Sequence, residues 1–179
     1  GDVTNGAKKT ILASLDKIGS IWGIATTEAD TSVYMAATLK RNTGLGPNGL
    51  GAIYKLNVTE FNDVNLFYDF GALVGTIPSN VARGLQPFAN LPSEDSDAFS
   101  LIGKVGIGDI DLNAAKDRLY AVNLNDQKLY YVPIPGDGST PTPGSAVETA
   151  TPPWLASNLC GTTSTSMYIN NGGLTLAAD

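Results

Sequence analysis

The 179-residue sequence contains no histidine. That absence removes the Ser-His-Asp and Cys-His catalytic pairs, His-ligated metals and any imidazole acid or base. There is one cysteine, Cys160. It has no partner for an internal disulfide and reads as a small buried hydrophobe. Charge is scarce as well: 16% of residues are charged, against roughly a quarter in an ordinary soluble domain. What charge there is leans acidic, 11 Lys+Arg against 17 Asp+Glu for a net −6. An acidic chain lacks the basic surface that grips phosphate backbones, so no nucleic-acid partner is expected. No apolar run approaches the roughly 18 residues that cross a bilayer, so no membrane-spanning segment is expected either. The first residues, Gly1 to Gly6, carry neither an initiator Met nor the basic and apolar regions of a signal peptide. The chain is accordingly expected to be a processed or excised part of something longer.

Gly, Ser, Thr and Asn fill the place of the missing charges, with 20 glycines among them. That composition points to an extracellular or cell-surface β-rich protein. The apolar segments agree. Residues 21–26, 33–39, 52–58 and 64–70 are short, rich in β-branched and aromatic residues, and separated by turn formers such as Asp30-Thr31-Ser32 and Asn62-Asp63. They predict an antiparallel four-stranded meander. No helix is expected, and Thr10–Leu15 reads as a lone strand ahead of the first unit.

A second unit repeats the first. Trp22-Gly23-Ile24-Ala25 followed by Val33-Tyr34-Met35-Ala36 aligns at one constant offset with Gly108-Asp109-Ile110-Asp111 followed by Leu119-Tyr120-Ala121-Val122. Ile53-Tyr54-Lys55-Leu56 then matches Leu129-Tyr130-Tyr131-Val132 once the Gly-rich loop of the first copy counts as an insertion. A partial third copy closes the sequence: Ser166–Ile169, the turn Asn170-Asn171-Gly172-Gly173, and Leu174–Ala178 read as a hairpin. Residues 71–105 form an irregular connector. Residues 135–153 are rich in Pro, Gly and Thr and are expected to be extended and solvated.

Repeated four-stranded units of roughly 40–45 residues are the mark of β-propeller blades. The fold class is therefore all-β: residues 1–179 form a single all-β unit that is an incomplete propeller. Its blades lie at about 20–70 and 106–152, with a half-blade at 154–179. A β-sandwich is the alternative. Two and a half blades do not close a ring. Another protein chain, or another copy, is expected to complete the propeller or cover its edge strands.

The stretches Ile21–Ala25 with Leu39–Tyr54, and Gly103–Leu112 with Leu119–Leu124, resemble the propeller-like region of large secreted bacterial cell-surface proteins, which often carry Cna-B or SdrD-type repeats. The resemblance covers under half of the chain. It implies secretion and this fold, and it brings no settled enzymatic activity.

Candidate chemistry is sparse. Gly44-Leu45-Gly46-Pro47-Asn48-Gly49 fits G-x-G-x-x-G, but a strand rather than a helix follows, which excludes a dinucleotide site. With Lys40 and Arg41 beside it, the segment reads as an interaction loop built on Gly44, Gly46 and Gly49. Asp109, Asp111 and Asn113 alternate along a strand and start like a calcium loop. Ala114 and Tyr120 then stand where that loop needs Gly and Glu, so an EF-hand is excluded. Glu94, Asp95 and Asp97 form a second acidic cluster. Both clusters are weak metal candidates, and calcium is the one cofactor they would suit; otherwise none is expected. Tyr34, Tyr54, Tyr120 and Tyr130 recur at matching positions and read as packing between blades. Trp22 and Trp154 read as core or interface anchors. Asn57-Val58-Thr59 is a glycosylation sequon on a predicted strand.

The expectation is a non-catalytic extracellular structural or protein-interaction module within a larger assembly. Two alternatives stand beside it. One is a carbohydrate-active or lyase-type propeller enzyme using Asp109, Asp111 or tyrosines, and the other is a calcium-dependent adhesion module.

Overall fold

The computed structural model describes residues 10–26, 31–85 and 93–149. Among the described residues the fold is all-β, with eight strands in two antiparallel four-stranded sheets. The first takes β1 Ile21–Thr26, β2 Ser32–Ala37, β3 Ala52–Asn57 and β4 Val64–Asp69 in sequence order. The second takes β5 Ile107–Leu112, β6 Arg118–Asn123, β7 Lys128–Pro133 and the two-residue β8 Val147–Glu148. Short polar turns join β3 to β4, β5 to β6 and β6 to β7, while longer segments join β2 to β3 and β7 to β8. Asn113 Oδ1 accepts from the Asp117 and Arg118 N–H groups at the β5–β6 turn, and Asn123 and Asp126 do the same for Asn125 and Lys128 at β6–β7.

The sheets repeat each other in detail. One offset of 86 residues carries Ile21 to Ile107 and Ser32 to Arg118. The pairings Ile24↔Met35 and Ala25↔Tyr34 recur as Ile110↔Ala121 and Asp111↔Tyr120. Even the irregularity is shared: register slips between Ile21 and Ile24, and again between Ile107 and Ile110. Met35↔Tyr54 on β2–β3 corresponds to Ala121↔Tyr130 on β6–β7.

The sheets pack face to face, but with unlike faces. The shared core takes Ala25, Tyr34, Ala36 and Ile53 from the first sheet. From the second it takes Ile110, Leu119, Ala121 and Tyr130, whose counterparts in the first sheet are Ile24, Val33, Met35 and Tyr54. Of these, Met35, Tyr54 and Val33 belong to a separate cluster on the first sheet's far face. The arrangement is head to tail. Backbones approach most closely where β1 and β2 meet β5; a Cβ added at Gly23 would lie 2.8 Å from the Ile110 nitrogen. Toward β4 and β8 the gap is filled by aromatics: Tyr68, Phe70 and Tyr130 meet edge to face, with centroids 5.1 and 6.0 Å apart. The Tyr68 hydroxyl accepts from the Ala146 N–H at 2.9 Å. Small residues inside and large ones outside make the pair a wedge.

Some expectations are corrected. Thr10–Leu15 is not a strand. Leu12, Ala13 and Ile18 pack on the first sheet's far face, Ser14 is bonded to the Asn62 side chain, and the helix α1 Leu15–Ile18 follows. The segment covers a face instead of pairing along an edge. Two further helical turns occupy the described part of the connector, a 3-10 turn at Gly71–Val74 and α2 Ser96–Leu101. The run after β7 is exposed over most of its length but returns to pair as β8. Tyr34 and Tyr130 lie between the sheets, whereas Tyr54 belongs to the first sheet's far face. Tyr120, its position shared with Tyr34, faces away from the first sheet and is half-buried. Trp22 is 61% exposed rather than a core anchor. The expected hairpin at 166–178, Trp154 and Cys160 lie outside the described residues.

Candidate functional site

The Gly-rich loop between β2 and β3 is held at many points. Leu45 forms an isolated bridge with Gly19. A Cβ at Gly19 would sit 2.0 Å from the Gly46 nitrogen, and one at Gly46 would reach the Tyr54 hydroxyl at 2.6 Å. Glycine at these two points is what lets the loop lie against the segment before β1. From the connector, Asn80 clamps Leu45 at both ends, accepting from its N–H at 2.9 Å and donating to its carbonyl at 2.8 Å.

Beneath the loop lies an ion pair that composition gave no reason to expect. Arg83 Nε and Nη2 donate to Asp95 Oδ1 and Oδ2 at 2.8 and 2.7 Å, and both side chains are fully buried. Nη2 also donates to the Lys40 and Thr43 carbonyls, and Asp95 Oδ2 accepts from the Asn42 N–H at 2.7 Å. The Arg83 hydrogen bonds hold the Asp95 carboxyl below the usual carboxylate range; burial opposes them and the Asn42 N–H assists. Arg83 Nη1, also buried, has no hydrogen-bond partner among the described residues. The pair fastens the connector to the loop from two sides.

Lys40 and Arg41 are both engaged with the chain itself. Lys40 Nζ donates to the Ile21 carbonyl at 2.7 Å and stands 5.9 Å from the Trp22 ring centroid. Arg41 donates twice to the Glu94 carbonyl, at 3.0 and 2.8 Å, with its guanidinium 5.5 Å from the Phe99 ring. Gly44, Gly46 and Gly49 line one wall of an open cleft of about 1310 Å³, with Thr76, Ser79 and Asn80 on the other. Asp16 and Asp69 are the only charged residues among the described ones that line it. Leu15, Leu45, Leu50, Ile77, Val81 and Leu85 also line it, so its surface is more apolar than polar and offers no aromatic platform.

The acidic clusters do not converge. Asp95 is committed to Arg83, while Glu94 and Asp97 are exposed. Asp109 Oδ1 accepts from the Ile110 N–H at 3.0 Å, and Asp111 Oδ1 from the Leu112 N–H at 2.8 Å. Asn113 is occupied in the β5–β6 turn, its amide also donating to Asp117 at 2.7 Å. Among the described residues no three His, Cys, Asp or Glu side chains are placed to hold a metal ion. Asn57 of the sequon ends β3 and accepts from the Thr59 N–H and hydroxyl. No described helix is long and apolar enough to cross a membrane.

Arg83 and Asn80 were not singled out by sequence reasoning. Both lie in a stretch without periodicity, and their partners between Lys40 and Leu45 are 35 to 43 residues away.

No protein-family model matches the sequence. It is 28% identical over 131 residues to Colossin-D of Dictyostelium discoideum, an alignment covering 69% of this chain and 13% of that protein. It is 30% identical over 130 residues to Colossin-C of the same organism, covering 69% of this chain and 12% of the relative. The chain thus spans about an eighth of either curated relative. These matches overturn the resemblance to bacterial cell-surface proteins with Cna-B or SdrD-type repeats: the similarity runs to colossins of Dictyostelium.

Proposed function

We propose that this chain is a non-catalytic structural module of a larger extracellular protein: two consecutive blades of a β-propeller, completed by further units from another copy or another chain. The observation that carries the reading is the head-to-tail packing of the two sheets. A duplicated sheet that pairs about a two-fold axis buries the same face twice and is then finished. Packing one face against the unlike face of the next unit leaves one of each kind unused, so the contact propagates. The wedge, narrow at Gly23 and wide at Phe70 and Tyr130, supplies the angular step that bends such a series around an axis. On the first sheet, Trp22 and Ile24 remain 61% and 54% exposed on β1, apolar surface suited to protein contact. The lack of histidine and the small share of charge favour contact over chemistry.

Nuclear Overhauser contacts in the isotopically enriched chain test the packing. Contacts from Gly23 to the Ile110 amide, and from the Phe70 ring to the Tyr130 ring, are expected. Contacts between the Tyr34 and Tyr120 rings would mean that like faces meet in a sandwich, which overturns the propeller reading. Sedimentation over a wide concentration range tests completion: association that Ile24→Lys weakens is expected. A chain that keeps the contacts yet stays monomeric throughout refutes completion by a second copy.

A further inference from the structure

Asn57 ends β3, and the turn that follows carries Val58 and Thr59. These residues are the single Asn-x-Ser/Thr sequence in the chain, with Val rather than Pro in the middle. Asn57 Oδ1 accepts from the Thr59 N–H at 3.1 Å and from the Thr59 hydroxyl at 2.8 Å, both at the exposed surface. A backbone N–H can only donate, so the atom facing it must be the carbonyl oxygen of the carboxamide. That fixes the orientation of the amide group and leaves Nδ2 outside the turn. Nδ2 donates to none of the described residues. Among those residues the buried side-chain atoms without a partner are Arg83 Nη1 and Ser145 Oγ, so Asn57 Nδ2 is open to solvent.

We propose that Asn57 is a site of N-glycosylation, receiving one oligosaccharide from a carrier that holds the sugar on a lipid pyrophosphate. The proposal rests on the extracellular reading, because the modification belongs to surface positions of secreted chains. Nδ2 forms a bond to the anomeric carbon of the sugar while the bond from that carbon to the pyrophosphate oxygen breaks. The pyrophosphate leaves with the electron pair, the amide gives up one proton, and nothing is oxidised or reduced. The fold has room for the product. Ser32↔Asn57 is the last pair of β2 with β3, and Thr59 and Glu60 beyond it are exposed. The Gly-rich loop leaves β2 at its other end, after Ala37. Five steps along that strand, at about 3.3 Å each, separate the two ends by roughly 17 Å. A glycan on Asn57 therefore stands off the end of the first sheet opposite the loop and the Arg83–Asp95 joint.

Cell-free translation of the full chain behind a cleavable secretion signal, with endoplasmic-reticulum microsomes, tests the site. The supplied signal makes the result independent of where the natural chain resides. A mass gain of one oligosaccharide is expected in the protease-protected chain. Peptide N-glycosidase in heavy-oxygen water should remove it and convert the Asn57 amide to a labelled carboxylate. Asn57→Gln and Thr59→Ala are expected to abolish the gain, whereas Thr59→Ser, which keeps the hydroxyl, retains it. A protected chain without the gain overturns the proposal, as does a gain that persists in Asn57→Gln. Protease access on intact cells of the natural source separates the two readings. Chain found only inside those cells overturns the extracellular reading and the natural glycan with it. A bare, protected chain in the microsomes overturns the glycosylation site alone.

Discussion

Gly23→Ala isolates the contact on which the arrangement of the sheets depends. Gly23 is buried on β1, and an added methyl would meet the Ile110 nitrogen at 2.8 Å and the Asp109 Cα at 3.1 Å. Both are backbone atoms of β5, so no side-chain rotation relieves the clash. Either β1 and β5 separate or the Ile107–Ile110 irregularity distorts. Overpacking of this kind costs about 1–3 kcal/mol. With a transition temperature that moves by about 2–4 °C per kcal/mol in a domain of this size, a fall of about 2–12 °C is expected. Gly136→Ala is the internal control. Gly136 has nothing within 4 Å of an added Cβ and is not among the positive-φ glycines, so the change is neutral or stabilising by some tenths of a kcal/mol. Thermal unfolding of the two variants, followed by circular dichroism, gives the comparison. If Gly23→Ala melts with Gly136→Ala and the parent chain, β1 and β5 do not approach as described and the wedge is refuted.

Asp95→Asn keeps the shape of the carboxylate and leaves Arg83 buried without its counter-charge; a loss of about 3–5 kcal/mol is expected in urea unfolding. Because the Asp95 carboxyl sits below its ordinary value in the folded chain, its contribution is present above the unfolded value near 4. That contribution disappears as pH falls through the folded one, and Asp95→Asn flattens this acid limb. Tyr130 donates to Asp126 Oδ2 at 2.7 Å. Burial, with Asp126 adding to it, raises the phenol above its ordinary value, so stability is full below about pH 10 and falls as pH rises through the folded value. Tyr130→Phe removes that hydrogen bond, for a loss of about 1 kcal/mol, and its stability profile flattens in base. Calcium is expected to leave the transition temperature unchanged, and chelator likewise, because Asp95, Asp109 and Asp111 are bonded within the chain. A rise with calcium would restore the adhesion reading.

The sequence by itself determined the strands and their repetition. Alternating β-branched and aromatic residues between turn formers are local signals, and the 86-residue offset places β1, β2, β5 and β6 on matching residues because each hairpin is specified within its own short stretch. The turns at Asn113 and Asn123 are equally local, an Asn side chain capping the backbone two to five residues away, yet Asn113 reads from the sequence only as a weak metal candidate. Only the tertiary structure decided which faces meet. Register and periodicity are identical whether Tyr34 faces the second sheet or its mate Tyr120 does, so nothing local distinguishes head-to-tail from like-face packing. It also decided the fate of Thr10–Leu15, whose apolar residues serve equally as a strand or as a cover for Met35 and Tyr54. The joint at Arg83 and Asp95 belongs to the same class. A buried ion pair joins residues by their positions in space, across a connector whose sequence carries no period to reveal it. What remains from the opening absence is narrow and firm: without histidine the chain has no imidazole chemistry, and its geometry invests in contacts between units.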